Sequence, residues 1–268
     1  MLTWEEVSLY RNPFNEVISL AAFAGDFSGG SFSSTSPEFG TDGQFAKCWI
    51  REDHDVFLLK RGSDLYEIEP LSEFLASQVA SLICPASVEY DLSFYHGRLI
   101  SKCRLFTTEE TGLVKMNELE QHIRTIPELL AYYEEVGNGD TFRRMCVLDS
   151  LILNVDRHLG NFGMLIDNDT QQILGAAPIF DHNRSLLFDL DTTQLEKPDW
   201  YIGQCRPRIG ADFILTARGL MTDSIRNDLI NMSGFSFRQH DAIRTDGLRL
   251  QRLSAVVNGQ IRRILETR

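Results

Sequence analysis

Asn154-Val155-Asp156-Arg157-His158-Leu159-Gly160-Asn161, continued by the apolar run Phe162–Ile166 and closed by Ala177-Pro178-Ile179-Phe180-Asp181, is the stretch on which the reading of this chain turns. The amphipathic segment 140–154 before it reads as a helix, which places Asp156 just past a helix end. A carboxylate there can accept or orient the proton of an attacking hydroxyl. Five positions on, Asn161 offers a neutral, hard carbonyl oxygen, suited to a Mg²⁺ that keeps waters and phosphate oxygens in its shell. Phe162–Ile166 and Gln172–Leu174 read as two strands about the turn Asp167-Asn168-Asp169. That hairpin returns the chain so that Asp181 brings a charged oxygen to the same metal.

Protein kinases use this order, Asp-x₄-Asn, hairpin and metal-binding Asp, for phosphoryl transfer. Here Asp181-His182-Asn183 stands in place of the usual Asp-Phe-Gly. Without that context, Asp156 and Asp181 read only as capping and turn residues. The segment upstream supplies the context. Phe45–Arg51 and Asp55–Lys60 read as strands joined at Glu52-Asp53-His54. A helix then opens at Pro70 with Leu71, Phe74, Leu75, Val79, Leu82 and Ile83 on one face, and stops at Cys84-Pro85. Strands at 87–95 and 98–106 turn at His96-Gly97. Lys60 ends a strand and Glu73 opens the helix, the pairing by which kinases hold a lysine against the ATP phosphates. Lys47, also on a strand, competes with Lys60 for that contact. Gly40 and Gly43, in the Gly- and Ser-rich stretch 25–43, can present backbone N–H groups to phosphate, although no G-x-G-x-x-G and no Walker motif is present.

Toward the N-terminus, Thr3-Trp4-Glu5-Glu6 reads as a capping box and Asn12-Pro13 as an N-cap followed by Pro at N1, giving two short helices over 4–24. Beyond Met116 the pattern is helical: 117–135, 140–154, and helices separated by loops over 212–268. The expected fold class is α+β, a two-lobed protein-kinase-like fold, with an N-lobe over 1–106 and a helical C-lobe over 107–268.

Composition narrows the function classes. The net charge is −12 over 268 residues, a surface that repels polyphosphate backbones, so direct nucleic-acid binding is not expected. The five cysteines (Cys48, Cys84, Cys103, Cys146, Cys205) form no C-x-x-C pair and read as reduced, mostly buried thiols. Val17–Ala24 is apolar, but Glu5, Glu6 and Glu16 against Arg11 are the wrong flank for a signal peptide, and no run reaches the roughly 18 apolar residues of a membrane span. A cytoplasmic location with no membrane partner is expected. Arg206, Arg208 and Arg218 could bind substrate or a phosphoserine, but read first as a scattered, solvent-facing basic set. His158 reads as a structural hydrogen-bonder.

The residues now quoted resemble a known family, the HipA-like serine/threonine kinases, toxin components of bacterial toxin–antitoxin pairs. NVDRHLGNFGMLID (154–167) resembles their catalytic loop and following strand, APIFDHNRSLL (177–187) their metal-binding segment, and SEFLASQVASLICP (72–85) their N-lobe helix. The likeness runs from about Ser28 to Leu187 and is to the short, stand-alone members. It implies Asp156 as catalytic base, Asn161 and Asp181 as magnesium ligands, Lys60 on the ATP phosphates and Glu73 positioning Lys60. Adenine would lie against a hinge near Phe106–Thr111. It also implies autophosphorylation in the Ser-rich loop, at Ser34 or Ser36, a protein substrate such as a translation component, and a small helix-turn-helix antitoxin as partner. Two alternatives stand beside it. One is a lipid or small-molecule kinase, because phosphoinositide-type enzymes share the D-R-H-x-x-N loop. The other is a pseudokinase that binds without turnover.

Overall fold

The computed structural model describes residues 8–24, 46–63, 68–119 and 122–266. Two antiparallel strands, β1 (Lys47–Glu52) and β2 (Asp55–Arg61), form the expected hairpin, with Asp53 in the left-handed region (φ 51°) that the tight turn demands. β2 pairs with β4 (Arg98–Arg104), and β4 pairs with β3 (Asp91–Tyr95), giving a four-stranded antiparallel sheet in the order β1-β2-β4-β3. The β3–β4 pair is shorter than expected: residues 87–90 and 105–106 lie outside it.

The N-terminal helix, α1, covers Glu16–Ala24. Its cap is Asn15 rather than Asn12: the Asn15 carbonyl accepts the Ser19 N–H at 2.8 Å, and its side chain accepts from Val17 N–H at 2.9 Å. Asn12 instead closes a turn onto Phe14 N–H at 2.7 Å, with Phe14 at φ 57°. A left-handed residue directly after Pro13 cannot continue into a helix, so Pro13 is not an N1 residue. The Thr3 capping box lies outside the described residues. α1 buries Ala22 and Phe23 against Cys48, Leu59 and Ile100 of the sheet.

Helix α2 (Glu69–Ile83) carries Pro70 in its first turn, where a missing N–H costs nothing. Leu71, Leu75, Val79 and Ile83 are buried as the spacing requires. Ala76 and Ala80 are buried too, whereas Phe74 is half-buried and Leu82 is exposed. The buried face of α2 is therefore rotated off Leu82. It shares one core with the helices that follow, because Leu75 and Val79 belong to the same apolar cluster as Phe142, Leu148 and Val257. This common core fixes the sheet-bearing part against the helical part.

After β4 the chain runs irregularly through 105–110 into a strand not foreseen in the sequence, β5 (Thr111–Lys115). β5 pairs with β6 (Gly163–Asp167), which pairs with β7 (Ile173–Ala176) to make a second, three-stranded sheet. The helix expected over 117–135 is two helices: α3 (Met116–Leu119) and α4 (Ile126–Glu135). The break is made by Thr125, which caps α4 with a reciprocal Thr125–Glu128 capping box. α5 (Gly139–Ile152), α6 (Asp199–Gln204), α7 (Phe213–Gly219), α8 (Asp223–Asn231) and α9 (Gly247–Leu265) complete the helical part.

The β5–β6 contact depends on one glycine. A Cβ on Gly163 would lie 2.1 Å from the Val114 carbonyl oxygen and 2.8 Å from Lys115 Cα, both backbone atoms that cannot step aside. Gly163→Ala is expected to cost about 1–3 kcal/mol of stability through overpacking. Thermal unfolding of the variant checks this, and an unchanged Tm would mean that the strands separate without penalty.

Candidate active site

The residue after α5, Leu153, takes a left-handed conformation (φ 53°) that ends the helix and turns the chain. Asn154 then pins the loop at both ends: its Nδ2 donates to Asp149 Oδ1 at 3.0 Å, and its Oδ1 accepts the Asp156 N–H at 3.0 Å. Arg157 points inward and is buried. Its Nε donates to Asp149 Oδ2 at 3.0 Å, and its Nη1 to the carbonyls of Asn161 (2.9 Å) and Phe180 (2.5 Å). One guanidinium thus ties the helix end, Asn161 and the strand leading to Asp181 together. Arg157→Leu would strand the buried Asp149 carboxylate and two carbonyls. The expected loss is about 3–5 kcal/mol, seen as a lowered denaturation midpoint. An unaltered midpoint would show that this joint is dispensable.

The remaining elements bring the other predicted residues to the same place. β2 carries Lys60 and α2 carries Glu73, both buried. Lys60 Nζ lies 2.6 Å from Glu73 Oε1 and 3.1 Å from Asp181 Oδ1. Ser101 Oγ donates to the other Glu73 oxygen at 2.6 Å, and the His182 N–H reaches Oε1 at 3.4 Å. The ammonium also lies 5.1 Å from the centre of the Tyr90 ring. Asp181 itself has φ 62°, and its N–H donates to Tyr90 Oη at 3.1 Å. Among non-glycine residues Asp tolerates this conformation better than most, and such strain collects at functional sites.

Electrostatics follow from this packing. Burial alone would raise the Asp181 carboxyl, but the charges of Lys60, Lys47 and Arg157 outweigh it and hold Asp181 well below the usual carboxylate range. Burial alone would lower Lys60, yet Asp181 and Glu73 hold it well above the ordinary lysine value. Lys60 and Asp181 are thereby held as an ion pair. His182 is fully buried, and burial together with Arg157 holds its pKa well below the ordinary value. Its Nδ1 lies 3.1 Å from Arg157 Nη2 and receives that donor, so the ring is neutral. Lys47 is the cross-strand partner of Lys60, and burial with the charge of Lys60 lowers it. The two candidate lysines therefore stand side by side on one wall: Lys60 makes the Glu73 pair, and both line the cleft.

That cleft has a volume of about 950 Å³, within the range of small-molecule sites. Its lining combines the apolar Trp49, Leu58, Phe106 and Leu113 with the polar Lys47, Lys60, Asp156, Asn161, Asp181 and Arg208. Asn161 Nδ2 donates to the Asp156 carbonyl at 3.1 Å, which leaves its Oδ1 for another ligand. No group of three or more His, Cys, Asp and Glu suited to a metal is found among the described residues. Asp181 and Asn161 make only a partial shell, the kind that magnesium completes with phosphate oxygens and water. Gly40, Gly43, Ser34 and Ser36 lie outside the described residues.

Two contributors were not placed by the sequence reading. Residues 9–12 cross the outer edge of the cleft: Leu9 and Tyr10 line it, Tyr10 Oη donates to Thr107 Oγ1 at 2.8 Å, and Arg51 holds the Tyr10 carbonyl at 2.7 Å. The basic set is not uniformly scattered either. Arg206 bonds carbonyls of its own turn and Arg218 the Arg263 carbonyl, but Arg208 Nη1 donates to Asp156 Oδ1 at 2.6 Å. The Arg-Pro-Arg spacing (206–208) was the only trace of this in the sequence. His158 lines the cleft, and its Nδ1 accepts the Gly160 N–H at 3.1 Å.

No protein-family model and no curated protein sequence matches this chain. Solved structures do. The crystal structure of the Helicobacter pylori proinflammatory kinase CtkA superposes with a TM-score of 0.62 at 17% identity, over 84% of this chain and 90% of that one. The chain has a kinase fold. The HipA toxin of Shewanella oneidensis, solved with HipB and operator DNA, aligns at a TM-score of 0.45 and 10% identity, over 78% of this chain and 58% of that one. That second likeness is too slight to add to the first. The kinase fold, with the cleft between its sheet and its helices, is what carries Lys60, Asp156, Asn161 and Asp181 into one site. No helix among the described residues is long and apolar enough to cross a membrane.

Proposed function

We propose that the protein is a magnesium-dependent serine/threonine protein kinase that transfers the γ-phosphoryl group of ATP to a protein hydroxyl. The observation that carries this reading is Lys60. It is bonded at once to Glu73 and Asp181, in a cleft that Asp156 and Asn161 also line. A buried ammonium held between two carboxylates is a costly arrangement unless it serves a ligand.

In this reading Lys60, steadied by Glu73, binds the ATP phosphates, and Lys47 adds a second positive charge beside it. Asn161 and Asp181 would hold Mg²⁺, which when bound neutralises charge across the phosphates. Trp49, Leu58, Phe106 and Leu113 form the apolar slot for adenine. Asp156 orients the acceptor hydroxyl and takes its proton. The hydroxyl oxygen bonds to the γ-phosphorus, the bond from that phosphorus to the β–γ bridging oxygen breaks, and ADP leaves with that electron pair. Rate comes mainly from positioning and charge, with little covalent work for the protein.

The finer assignments rest on the sequence resemblance. They are autophosphorylation at Ser34 or Ser36, phosphate contacts from Gly40 and Gly43, a translation component as substrate, a small helix-turn-helix antitoxin as partner, and a cytoplasmic location. The test is incubation with γ-labelled ATP and magnesium beside a panel of protein, phosphoinositide and small-molecule acceptors, followed by phosphosite mapping. Label on protein serine or threonine, including residues 28–43 of the chain itself, is expected. Label only on lipid or small molecule overturns the protein-kinase assignment, and label nowhere favours a pseudokinase.

A further inference from the structure

We propose that Arg208 is a catalytic arginine supplied in cis, which contacts the transferring phosphoryl group from the Asp156 side of the cleft. The inference rests on the phosphotransferase reading above and adds to it a residue that the motifs do not contain. Arg208 lies in the segment between α6 and α7, 52 positions from Asp156 in sequence, yet its Nη1 is 2.6 Å from Asp156 Oδ1. Arg184 stands further off, with Nε 3.9 Å from Oδ2.

Geometry gives the reason. A base that orients the attacking hydroxyl is within hydrogen-bond reach of it, and the hydroxyl oxygen in turn lies about 3–3.5 Å from the phosphorus in a reactive arrangement. A guanidinium on the same carboxylate is therefore one hydroxyl away from the oxygens of that phosphoryl group. Its planar fork of five N–H donors can serve a carboxylate and a phosphate oxygen together. Other positive charges nearby are placed otherwise. Lys60 is bonded to Glu73 and Asp181, and its strand neighbour Lys47 stands on the sheet wall. Arg157 is buried on Asp149 and two backbone carbonyls. His158, next but one to Asp156, accepts a backbone N–H on Nδ1, which is the bonding of an uncharged ring.

Exposure rises from Lys60 at 8% and Asp181 at 17% to Asp156 at 23% and Arg208 at 55%. Arg208 is the most exposed of the four. Exposed ion pairs are weak, so a dianionic terminal phosphate entering the cleft can draw the guanidinium across without a large penalty. Charge on the transferring group spreads over its three equatorial oxygens, and a cation placed there acts on the reaction more than on ground-state binding.

The experiment measures the affinity of Mg·ADP, alone and with aluminium fluoride, for the wild-type chain, Arg208→Ala and Arg208→Lys, together with phosphoryl-transfer rates with and without added guanidinium ion. Wild type is expected to bind the aluminium fluoride complex far more tightly than Mg·ADP. Arg208→Ala should keep its Mg·ADP affinity within about threefold, lose the aluminium fluoride gain, and slow transfer by about 10³-fold or more, as loss of such an arginine does elsewhere. Guanidinium ion should restore part of the Ala variant's rate, and Lys should substitute poorly. Arg208 makes only an exposed ion pair with Asp156, and an unchanged Tm in both variants separates these effects from unfolding. Retention of the aluminium fluoride gain by Arg208→Ala overturns the inference, as does a defect confined to KM for the protein acceptor, which would make Arg208 an acceptor-reading residue. If wild type itself binds no Mg·ADP, the phosphotransferase reading fails first.

Discussion

Asp156→Asn is expected to lower kcat by about 10²–10⁴-fold, the contribution of a positioned general base, while leaving KM for ATP nearly unchanged. The substitution keeps the shape of the side chain and removes its charge, and with it the capacity to take a proton and the ion pair with Arg208. Asp156 is 23% exposed, and it pairs with Arg208 and, at longer range, Arg184. Exposed pairs of this kind are worth about 0.2–1 kcal/mol, so Tm should move by no more than about 2–4 °C. Loss of rate with retained stability and nucleotide affinity marks an interaction made only in the transition state. Steady-state kinetics beside thermal unfolding reads all three quantities. A variant with wild-type kcat would remove Asp156 from the mechanism.

Lys60→Met has a different signature, because it strikes stability and nucleotide binding together. It removes the cation between Asp181 and Glu73, and Glu73 is fully buried. Breaking a buried pair by deleting one partner costs about 3–5 kcal/mol. For a chain of this size that corresponds to a fall in Tm of roughly 6–20 °C. The pH dependence has a definite sign. Lys60 is raised in the fold, so its stabilisation is fully present below the unfolded lysine value near 10.4 and is lost only as pH rises through the higher folded value. Asp181 is depressed in the fold, so its stabilisation is present above about 3.9 and is lost as pH falls through the lower folded value. Wild type thus keeps the cluster from about pH 4 to 10. In Lys60→Met the Asp181 carboxyl lacks its main counter-charge and relieves the strain by taking up a proton. The gap between variant and wild type should therefore narrow from pH 8 to pH 5. A gap of constant size would mean that the Lys60–Asp181 pair is not ionised as described.

The parts of the site that were legible in sequence are those fixed by local chemistry. Asp156 and Asn161 share one loop, and Asp181 follows after a hairpin whose turn residues announce it. Lys60 and Glu73 were legible because a strand end and a helix start constrain where their side chains emerge. β5 was not, since Thr111–Lys115 is only half-buried along its length and shows no alternation; pairing with β6 makes it a strand. Leu82 misled because periodicity marks an apolar face without saying how wide the partner is. Arg208 could be picked out in sequence only as one of three basic positions, without its partner. Nothing within its own segment distinguishes it from Arg206, and only the packing of the α6–α7 connection brings it to Asp156. The cap at Asn15 was hidden by Asn12-Pro13, a stronger local signal overruled by the backbone at Phe14.

The most direct test of the central claim, that this cleft is a Mg·ATP site organised by Lys60 and Asp181, is calorimetric titration of ATP into the wild-type chain and Asp181→Asn, with and without magnesium. Wild type is expected to bind ATP more tightly when magnesium is present, and Asp181→Asn to lose that magnesium-dependent gain. ATP binding that is absent from wild type, or equally tight in Asp181→Asn with and without the metal, would contradict the account.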